Sequence, residues 1–478
     1  MTMRETEWRR KAKDVGQEHL FAFWDELTLD QRDMLLAQLA SIDLESVPTL
    51  VEKYVRNKPD FSPGGASIEP VNDYPNDHTN PRRAWDRAHY HALGEEMLRR
   101  GEVAAFTVAG GQGTRLGYDG PKGCYPGSAV RGRPLFECLS RWLVGAEKRY
   151  GHAVPWYIMT SPLNDEATRA FFGEHKNFGL DAANISFFQQ GVVPSFDAAS
   201  GRILLSDRHV IATNPDGHGG SLKALHASGA LADMRGRGVR HISYFQIDNP
   251  LARAVDPVFL GLHAHAPDSS AQMSSKMVAK TEPGEKVGVF AKVGGTVGVI
   301  EYSDLPGELA SRRRADGSLV FNAGNVAIHA LGVEFVEGLS RAGAGLPYHR
   351  AEKKVPHIDL ETGRRVEPSA ANGIKLETFV FDAISMCDAS LVYETDRVDE
   401  FAPIKNASGS DSPESSAMLQ TERAARWLEA VGVRVPRKAD GSPDCVLEID
   451  PARAMRAEDL RSGPLPMAIE QGARVVID

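Results

Sequence analysis

The stretch Val108-Ala109-Gly110-Gly111-Gln112-Gly113-Thr114-Arg115-Leu116-Gly117, with Pro121-Lys122-Gly123 close behind it, constrains this chain more than any other. The apolar run from Val103 to Val108 has the length and composition of a buried strand, so the glycines fall in the turn that leaves its carboxyl end. Open α/β sheets bind ligands at that end. Glycines allow positive φ and put no Cβ between backbone N–H groups and a phosphate, while Arg115 and Lys122 add fixed positive charge. The pattern suggests capture of a nucleoside triphosphate. It is not a P-loop, which needs Gly-Lys-Ser/Thr opening a helix, nor a dinucleotide fingerprint, because Arg115 and Leu116 precede the closing glycine. A tight connection without a ligand is the alternative, and the two basic residues at fixed offsets weigh against it.

Any such phosphate site must be locally basic, because the 478 residues carry a net charge of −9. That balance excludes a nucleic-acid or anionic-membrane partner, which rewards excess Lys and Arg. Four scattered cysteines, Cys124, Cys138, Cys387 and Cys445, form neither a disulfide framework nor a zinc motif and suit a reducing compartment. Arg9, Arg10, Lys11 and Lys13 are followed by no apolar signal region, and no run of about 18 apolar residues occurs. The reading is a cytoplasmic protein.

In chain order, Glu5 to about Tyr54 reads as helical. Thr28-Leu29-Asp30-Gln31 has capping-box spacing, and Leu35, Leu39 and Ile42 fall on one face behind it. Asn57 to Pro81 is rich in Pro, Gly, Ser, Asn and Asp and reads as a long irregular connection. A helix from about Arg83 to Arg99 leads to the first strand. Strands are then expected at Val154–Met159, Ile185–Gln189, His241–Ile247, Gln272–Ala279 and Asn325–His329. Helices are expected at Asp165–Phe172, Ser221–Met234, Asp256–His265 and Leu376–Cys387. Such alternation implies a largely parallel sheet covered by helices on both faces. Gly288 to Tyr302, with Gly294-Gly295 at its middle, reads as an antiparallel hairpin. After Phe401 the composition turns to Ser, Asp, Gly and Pro around one short helix near Leu419–Ala430. The expected division is therefore a helical segment and linker over residues 1–100, a central α/β domain over 101–400, and a small strand-and-turn domain over 401–478.

Further candidates lie at strand ends. Asp248 in Gln246-Ile247-Asp248-Asn249-Pro250 follows a buried strand at the same sheet edge as the Gly-rich turn, where a carboxylate can hold Mg2+ against phosphates; a turn or capping role is the alternative. Asn214-Pro215-Asp216-Gly217-His218-Gly219-Gly220 opens a helix, so its amides favour an anion and its bare backbone admits a flat ring. His218 there can donate to a phosphate or a sugar hydroxyl, or face solvent. An amide side chain of Phe188-Gln189-Gln190-Gly191 can read a base edge with its donor and acceptor or simply lie at the surface, and an Asn of Phe321-Asn322-Ala323-Gly324-Asn325 can read sugar hydroxyls or do the same. Lys375 and Lys405, beside turn residues, reach phosphates or water. Gly-x-Ser-x-Gly and His-Glu-x-x-His are absent from the sequence, so hydrolase chemistry has no support.

Taken together these segments resemble the eukaryotic-type UDP-N-acetylhexosamine pyrophosphorylases, within the UTP-dependent sugar-1-phosphate uridylyltransferases. The resemblance runs from His19-Leu20 and Phe23-Trp24-Asp25-Glu26-Leu27 to Phe401-Ala402-Pro403-Ile404-Lys405-Asn406. Its most specific parts are the Gly-rich stretch with Pro121-Lys122-Gly123, Phe187-Phe188-Gln189-Gln190-Gly191, Phe321-Asn322-Ala323-Gly324-Asn325 and Asn372-Gly373-Ile374-Lys375. It implies a Rossmann-like, glycosyltransferase-A-like nucleotidyltransferase domain with a mixed, mostly parallel sheet, between an N-terminal helical segment and a small C-terminal β-rich domain. By analogy, Ala109, Gly110 and Gly111 approach the uridine, and Gln190 and Gly217 hold the uracil. Arg115 and Lys122 bind the triphosphate, Asp248 coordinates Mg2+, and Lys375 and Lys405 face the phosphates. Gly288, Glu301 and Asn325 match sugar-holding positions, with His218, Phe379 and Phe381 around them.

The implied reaction makes a UDP-sugar and pyrophosphate from UTP and a sugar-1-phosphate, most plainly N-acetylglucosamine-1-phosphate. The sugar phosphate oxygen is already ionised, so attack on the α-phosphorus needs alignment and charge stabilisation rather than a strong base. One departure bears on the sugar. The N-acetylhexosamine enzymes carry Asn in Gly-Asn-Gly-Gly, where this chain has His218, as the UDP-glucose and broad UDP-sugar pyrophosphorylases do. Glucose- or galactose-1-phosphate therefore stays open as the acceptor, and so does a non-catalytic UDP-sugar-binding sensor.

Overall fold

The computed structural model describes residues 3–59, 64–341 and 345–478. The chain divides into two compact units, each assembled from three separate segments.

The larger unit comprises Ser62–Gln189, Ala224–Ala344 and Ala383–Asp478. Its centre is a mixed sheet in which Ile185–Gln189, Trp156–Thr160, Val103–Val108 and His241–Gln246 lie side by side and parallel. Val103–Val108, Trp156–Thr160 and His241–Gln246 are buried almost throughout because both of their faces are covered, while Ile185–Gln189 at the edge is half-buried. Ala105, Trp156 and Ile158 meet the helix Leu135–Tyr150 through Phe136, Leu139 and Trp142, while Phe106 on the opposite face stacks on Phe188. All four strands run the same way, so Ala109, Thr160, Gln189 and Ile247 leave the sheet at one edge. Beyond His241–Gln246 the sheet turns antiparallel through Ala323–Gly332, which also pairs with Met273–Ala279 and Val289–Val293. The expected hairpin is present as Val289–Val293 and Thr296–Ile300, joined by Gly294 and Gly295 with φ of 57° and 90°. Two consecutive positive φ values are what a two-residue turn between twisted strands requires.

The C-terminal stretch begins with the helix Pro413–Ala430, capped by Ser412, and ends in a parallel pair, Val446–Ile449 with Arg474–Ile477. Leu428, Leu447 and Ile477 enter the same apolar cluster as Leu139 and Trp142. Gly145 lets the Leu135–Tyr150 helix approach this stretch closely, since a Cβ there would lie 2.6 Å from the Pro451 carbonyl oxygen.

The smaller unit comprises Met1–Phe61, Gln190–Lys223 and Gly345–Asp382. The Thr28 capping box forms as its spacing predicts: Gln31 N–H donates to Thr28 Oγ1 and Thr28 N–H to Gln31 Oε1, at 3.3 and 3.0 Å. Leu35, Leu39 and Ile42 then pack against Phe196, Ile203, Ile374 and Leu376. The last four belong to or adjoin a three-stranded sheet of Tyr348–Lys353, Gly373–Thr378 and Phe196–Asp197. Buried Gln17 accepts from Ile203 N–H at 2.8 Å, and Gln38 from Ile211 N–H at 2.9 Å, fastening the helices to the middle segment.

Three local expectations are corrected. Leu376–Cys387 is not one continuous α-helix. It begins in the strand Gly373–Thr378 and continues as a 3-10 helix over Val380–Met386. Ile374, Leu376 and Thr378 point inward while Lys375 and Glu377 do not, a period of two set by pairing with Tyr348–Lys353. The helix expected over Ser221–Met234 is broken into Gly220–Ala227 and Ala230–Gly236 by Gly229 at φ 82°. Within the connection Asn57–Pro81, part of which (60–63) lies outside the described residues, Ile68–Pro70 forms an edge strand on Val289–Val293.

Candidate active site

In the larger unit the Gly-rich turn is held by its own backbone and by one side chain. Lys122 N–H donates to the Gly111 carbonyl at 3.1 Å and Gly113 N–H to that of Gly120 at 3.0 Å. Asn164 Nδ2 donates to the carbonyls of Ala109 and Gly111 at 2.9 and 3.2 Å, and its Oδ1 accepts from Ser161 N–H at 2.8 Å. Gly111 is exposed, with open space where a Cβ would stand. Arg115 sits exposed on the short turn Thr114–Leu116 and forms no ion pair among the described residues.

Lys122 Nζ reaches Asp248 Oδ2 at 3.3 Å. The two residues follow neighbouring parallel strands, whose last pair is Val108 with Gln246, so strand register fixes their proximity. Asp248 also borders a cavity of about 50 Å³ together with Asn249, Asn325 and Lys405. Lys405 Nζ lies 3.9 Å from Asp411, its one carboxylate partner among the described residues. Asn325 N–H donates to the Gly288 carbonyl at 2.8 Å, and a Cβ on Gly288 would stand 3.4 Å from Glu301 Oε1, so the candidates Gly288, Glu301 and Asn325 are neighbours. Asn325 Oδ1 is occupied by Ala327 N–H at 2.9 Å, in a bulge that holds Ala327 at φ 56°. Its Nδ2 has no hydrogen bond among the described residues.

These groups fit a cation of a particular kind. Among the described residues no three His, Cys, Asp or Glu side chains gather into a ligand set. Asp248 could hold a divalent metal through one carboxylate, with the other positions left to substrate oxygens and water.

The smaller unit holds the remaining candidates. Gln190 is buried, and its amide has no side-chain hydrogen bond among the described residues, so both a donor and an acceptor remain available. Gly217 adopts φ 84°, and a Cβ there would fall 2.3 Å from the Thr378 carbonyl oxygen. The turn thus lies directly on the end of the Gly373–Thr378 strand, where Asp216 O accepts from Thr378 N–H and Oγ1, each at 2.8 Å. His218 stacks on Phe379 with centroids 5.2 Å apart, and Phe381 stands 5.8 Å away. His218 Nδ1 accepts from Val380 N–H at 3.1 Å, which puts the proton of the neutral ring on Nε2. Burial, with His349 nearby, lowers its pKa to about 4, so the ring is neutral at physiological pH. Lys375 lies half-buried on the same strand, opposite Ala351.

Residues 68–425 match the family model described as UTP–glucose-1-phosphate uridylyltransferase. The chain belongs to this family. It is a nucleotidyltransferase of the sugar-1-phosphate uridylyltransferase type, a group that is generally metal-dependent. It is 34% identical over 475 residues to UDP-N-acetylglucosamine diphosphorylase 1 of Arabidopsis thaliana, covering 95% of this chain and 89% of that one. It is 35% identical over 438 residues to the UDP-N-acetylglucosamine pyrophosphorylase of Saccharomyces cerevisiae, covering 88% and 91%. In three dimensions it is similar to the uridine diphosphate N-acetylglucosamine pyrophosphorylase of Trypanosoma brucei, with TM-score 0.82, 26% identity and coverage of 100% and 98%.

Sequence reading passed over three residues that hold or adjoin the candidates in one unit or the other of this uridylyltransferase. Asn164 was hidden before a helix start, with nothing in its neighbours to show that it reaches back 55 positions to Ala109. Asn249 looked like part of a turn. Asp216 stood between two more conspicuous glycine positions, yet its carboxyl is buried, its Oδ1 has no partner among the described residues, and burial raises its pKa to about 6.

Proposed function

We propose that this chain transfers the uridylyl group of UTP to N-acetylglucosamine-1-phosphate, releasing pyrophosphate and UDP-N-acetylglucosamine. One observation carries the reading: an ammonium from the Gly-rich turn and a carboxylate from the next parallel strand stand 3.3 Å apart at the sheet edge where ligands of open α/β sheets bind. The names of the relatives in Arabidopsis and yeast supply the sugar.

In the proposed reaction the phosphate oxygen of the sugar-1-phosphate forms the new bond to the α-phosphorus of UTP while the bond to the pyrophosphate oxygen breaks in line. Arg115 and Lys122 take up charge on the departing pyrophosphate, and Lys375 and Lys405 lower the repulsion between the two anions. Mg2+ on Asp248, when bound, offsets negative charge on the phosphates. No residue abstracts a proton, because the attacking oxygen is already ionised. Gln190 and Gly217 hold the uracil, Ala109, Gly110 and Gly111 the rest of the uridine, and Gly288, Glu301, Asn325, Phe379 and Phe381 surround the sugar. His218 contributes through its Nε2–H, a donor whose direction is set by the bond that Nδ1 makes to Val380. The enzyme is assigned to the cytoplasm.

The test is pyrophosphate release from UTP and Mg2+ with a panel of sugar-1-phosphates. The expected kcat/KM for the N-acetylglucosamine substrate exceeds that for glucose- and galactose-1-phosphate by about tenfold or more, the discrimination that a few polar contacts give. A preference for glucose or galactose would assign His218 the opposite meaning. No release with any sugar, alongside measurable UDP-sugar binding, would make the chain a sensor.

A further inference from the structure

Asp248 and Lys405 lie far apart in sequence, and one buried side chain ties their segments together. Asn249 is 4% exposed. Its Oδ1 accepts from Leu251 N–H at 3.2 Å and from Ala402 N–H at 3.0 Å, and its Nδ2 donates to the Glu400 carbonyl at 2.7 Å. Two N–H donors on one end and a carbonyl on the other fix which end is oxygen and which is nitrogen. Beside this strap, Ile404 N–H donates to the Asp248 carbonyl at 2.8 Å. The segment Phe401–Ile404 is therefore clamped to the turn that presents Asp248, and Lys405 is its next residue.

The clamp has a rigid support. Glu400, fully buried, accepts Lys276 Nζ on both carboxylate oxygens at 2.6 and 2.7 Å, with Thr395 Oγ1 at 2.8 Å on one of them. Lys276, also fully buried, reaches Asp256 at 2.6 Å, and Asp256 caps the helix Pro257–His265. Buried charges satisfied in this way resist displacement, because moving any one of them strands the others without partners. The Glu400 carbonyl that Asn249 holds is thus a fixed point rather than part of a yielding loop.

We propose that Asn249 is a positioning residue for uridylyl transfer: it sets the Lys405 ammonium relative to the Asp248 carboxylate by tying the Phe401–Lys405 segment to the Asp248 turn. The inference rests on the reading that Asp248 and Lys405 act on the substrate phosphates. Neither Asn249 nor Glu400 needs to touch substrate. A misplacement of about 1 Å between two charged groups that must align phosphates is enough to cost on the order of a hundredfold in rate.

A double-mutant cycle on the full chain tests this, with kcat, the KM for UTP and the thermal midpoint measured for Asn249→Ala, Lys405→Ala and the pair. Asn249→Ala is expected to lower kcat by about tenfold to a hundredfold and to change KM by less than about threefold. In the Lys405→Ala background the same substitution should lower kcat by less than about twofold, since the group it positions is gone. Asn249→Asp keeps both acceptor bonds but sets a carboxylate oxygen against the Glu400 carbonyl, so it should lower kcat as Asn249→Ala does, and it replaces Asn249→Ala in the cycle if that variant does not fold. Effects that multiply fully, or an Asn249→Ala enzyme with wild-type kcat, overturn the proposal. So does a Lys405→Ala enzyme with wild-type turnover, which removes the positioned group while leaving pyrophosphate release by the wild type intact. A wild-type chain that releases no pyrophosphate with any sugar-1-phosphate fails the functional reading first, and this proposal with it.

Discussion

Lys122 has two claims on it. In the structure described here it neutralises Asp248 at 3.3 Å, and in the proposed reaction it faces the pyrophosphate. One ammonium can serve both because an incoming polyphosphate offers more negative charge than a single carboxylate, and a divalent cation on Asp248 would release the lysine. Lys122→Ala is expected to reduce kcat by about a hundredfold to a thousandfold, the loss typical of an electrostatic contact to developing charge. The fold should survive, since the turn is held by the Lys122 backbone amide on Gly111 and by Asn164, neither of which needs the ammonium. Turnover by pyrophosphate release and a thermal melt on the same sample check both halves; turnover within about twofold of the wild type would remove Lys122 from the chemistry. His218 shows the complementary situation, in which a polar ring is neutral, spends Nδ1 on a backbone amide and keeps one donor for a ligand.

Among the elements, the contact between the Asp216–Gly220 turn and the end of the Gly373–Thr378 strand is the most demanding. Gly217→Ala would place a methyl group 2.3 Å from the Thr378 carbonyl oxygen at φ 84°, against backbone that cannot swing aside. A loss of about 2–4 kcal/mol in stability is expected from strain and overpacking together, with weaker uridine nucleotide binding at temperatures where the variant is folded. Chemical denaturation and UDP titration measure the two effects, and an unchanged denaturation midpoint would show that the strand end gives way. The same element shows what was legible in the sequence. The Val103–Val108 strand, the Gly294-Gly295 hairpin and the Thr28 cap could be read because their signals are local: an apolar run, a two-glycine turn, a hydroxyl three residues ahead of an amide. Gly373–Thr378 was misread because its six residues offer a helix and a strand comparable patterns, and its partner, Tyr348–Lys353, lies some twenty residues earlier behind an unrelated hairpin. The candidate residues were proposed where glycines and charges mark strand ends. Asn164, Asn249 and Glu400 were not, because a side chain that straps one segment to another is defined by a partner that sequence spacing does not reveal.

At the scale of the whole molecule, stability should depend on pH through groups that no single element controls. Burial lowers the pKa of His218 and His241 to about 4 and depresses that of His263, which is fully buried against His241 and Ser274. Each would titrate near 6.5 in the unfolded chain. A base whose pKa is depressed by folding contributes stability that is complete above about pH 6.5 and is lost as the pH falls toward 4, because the unfolded state binds the proton first. For His218 and His241 a shift of this size makes the loss approach about 3 kcal/mol each. Asp216 acts in the opposite sense. Burial raises it to about 6, so its favourable contribution is complete below about pH 4 and disappears as the pH rises through 6. Above that pH the folded chain holds a buried carboxylate whose Oδ1 has no partner among the described residues. Two melting series follow from these signs. The wild type should lose stability progressively from pH 6.5 to 4.5, with the histidines outweighing the raised carboxyls of Asp216 and Glu394. Asp216→Asn, which keeps the shape and removes the charge, should melt higher than the wild type at pH 8 and converge on it, or fall below it, by pH 4.5. A variant that melts lower than the wild type at pH 8 would show that the ionised Asp216 carboxylate is satisfied in the folded chain, with Lys223 as a charge that favours it.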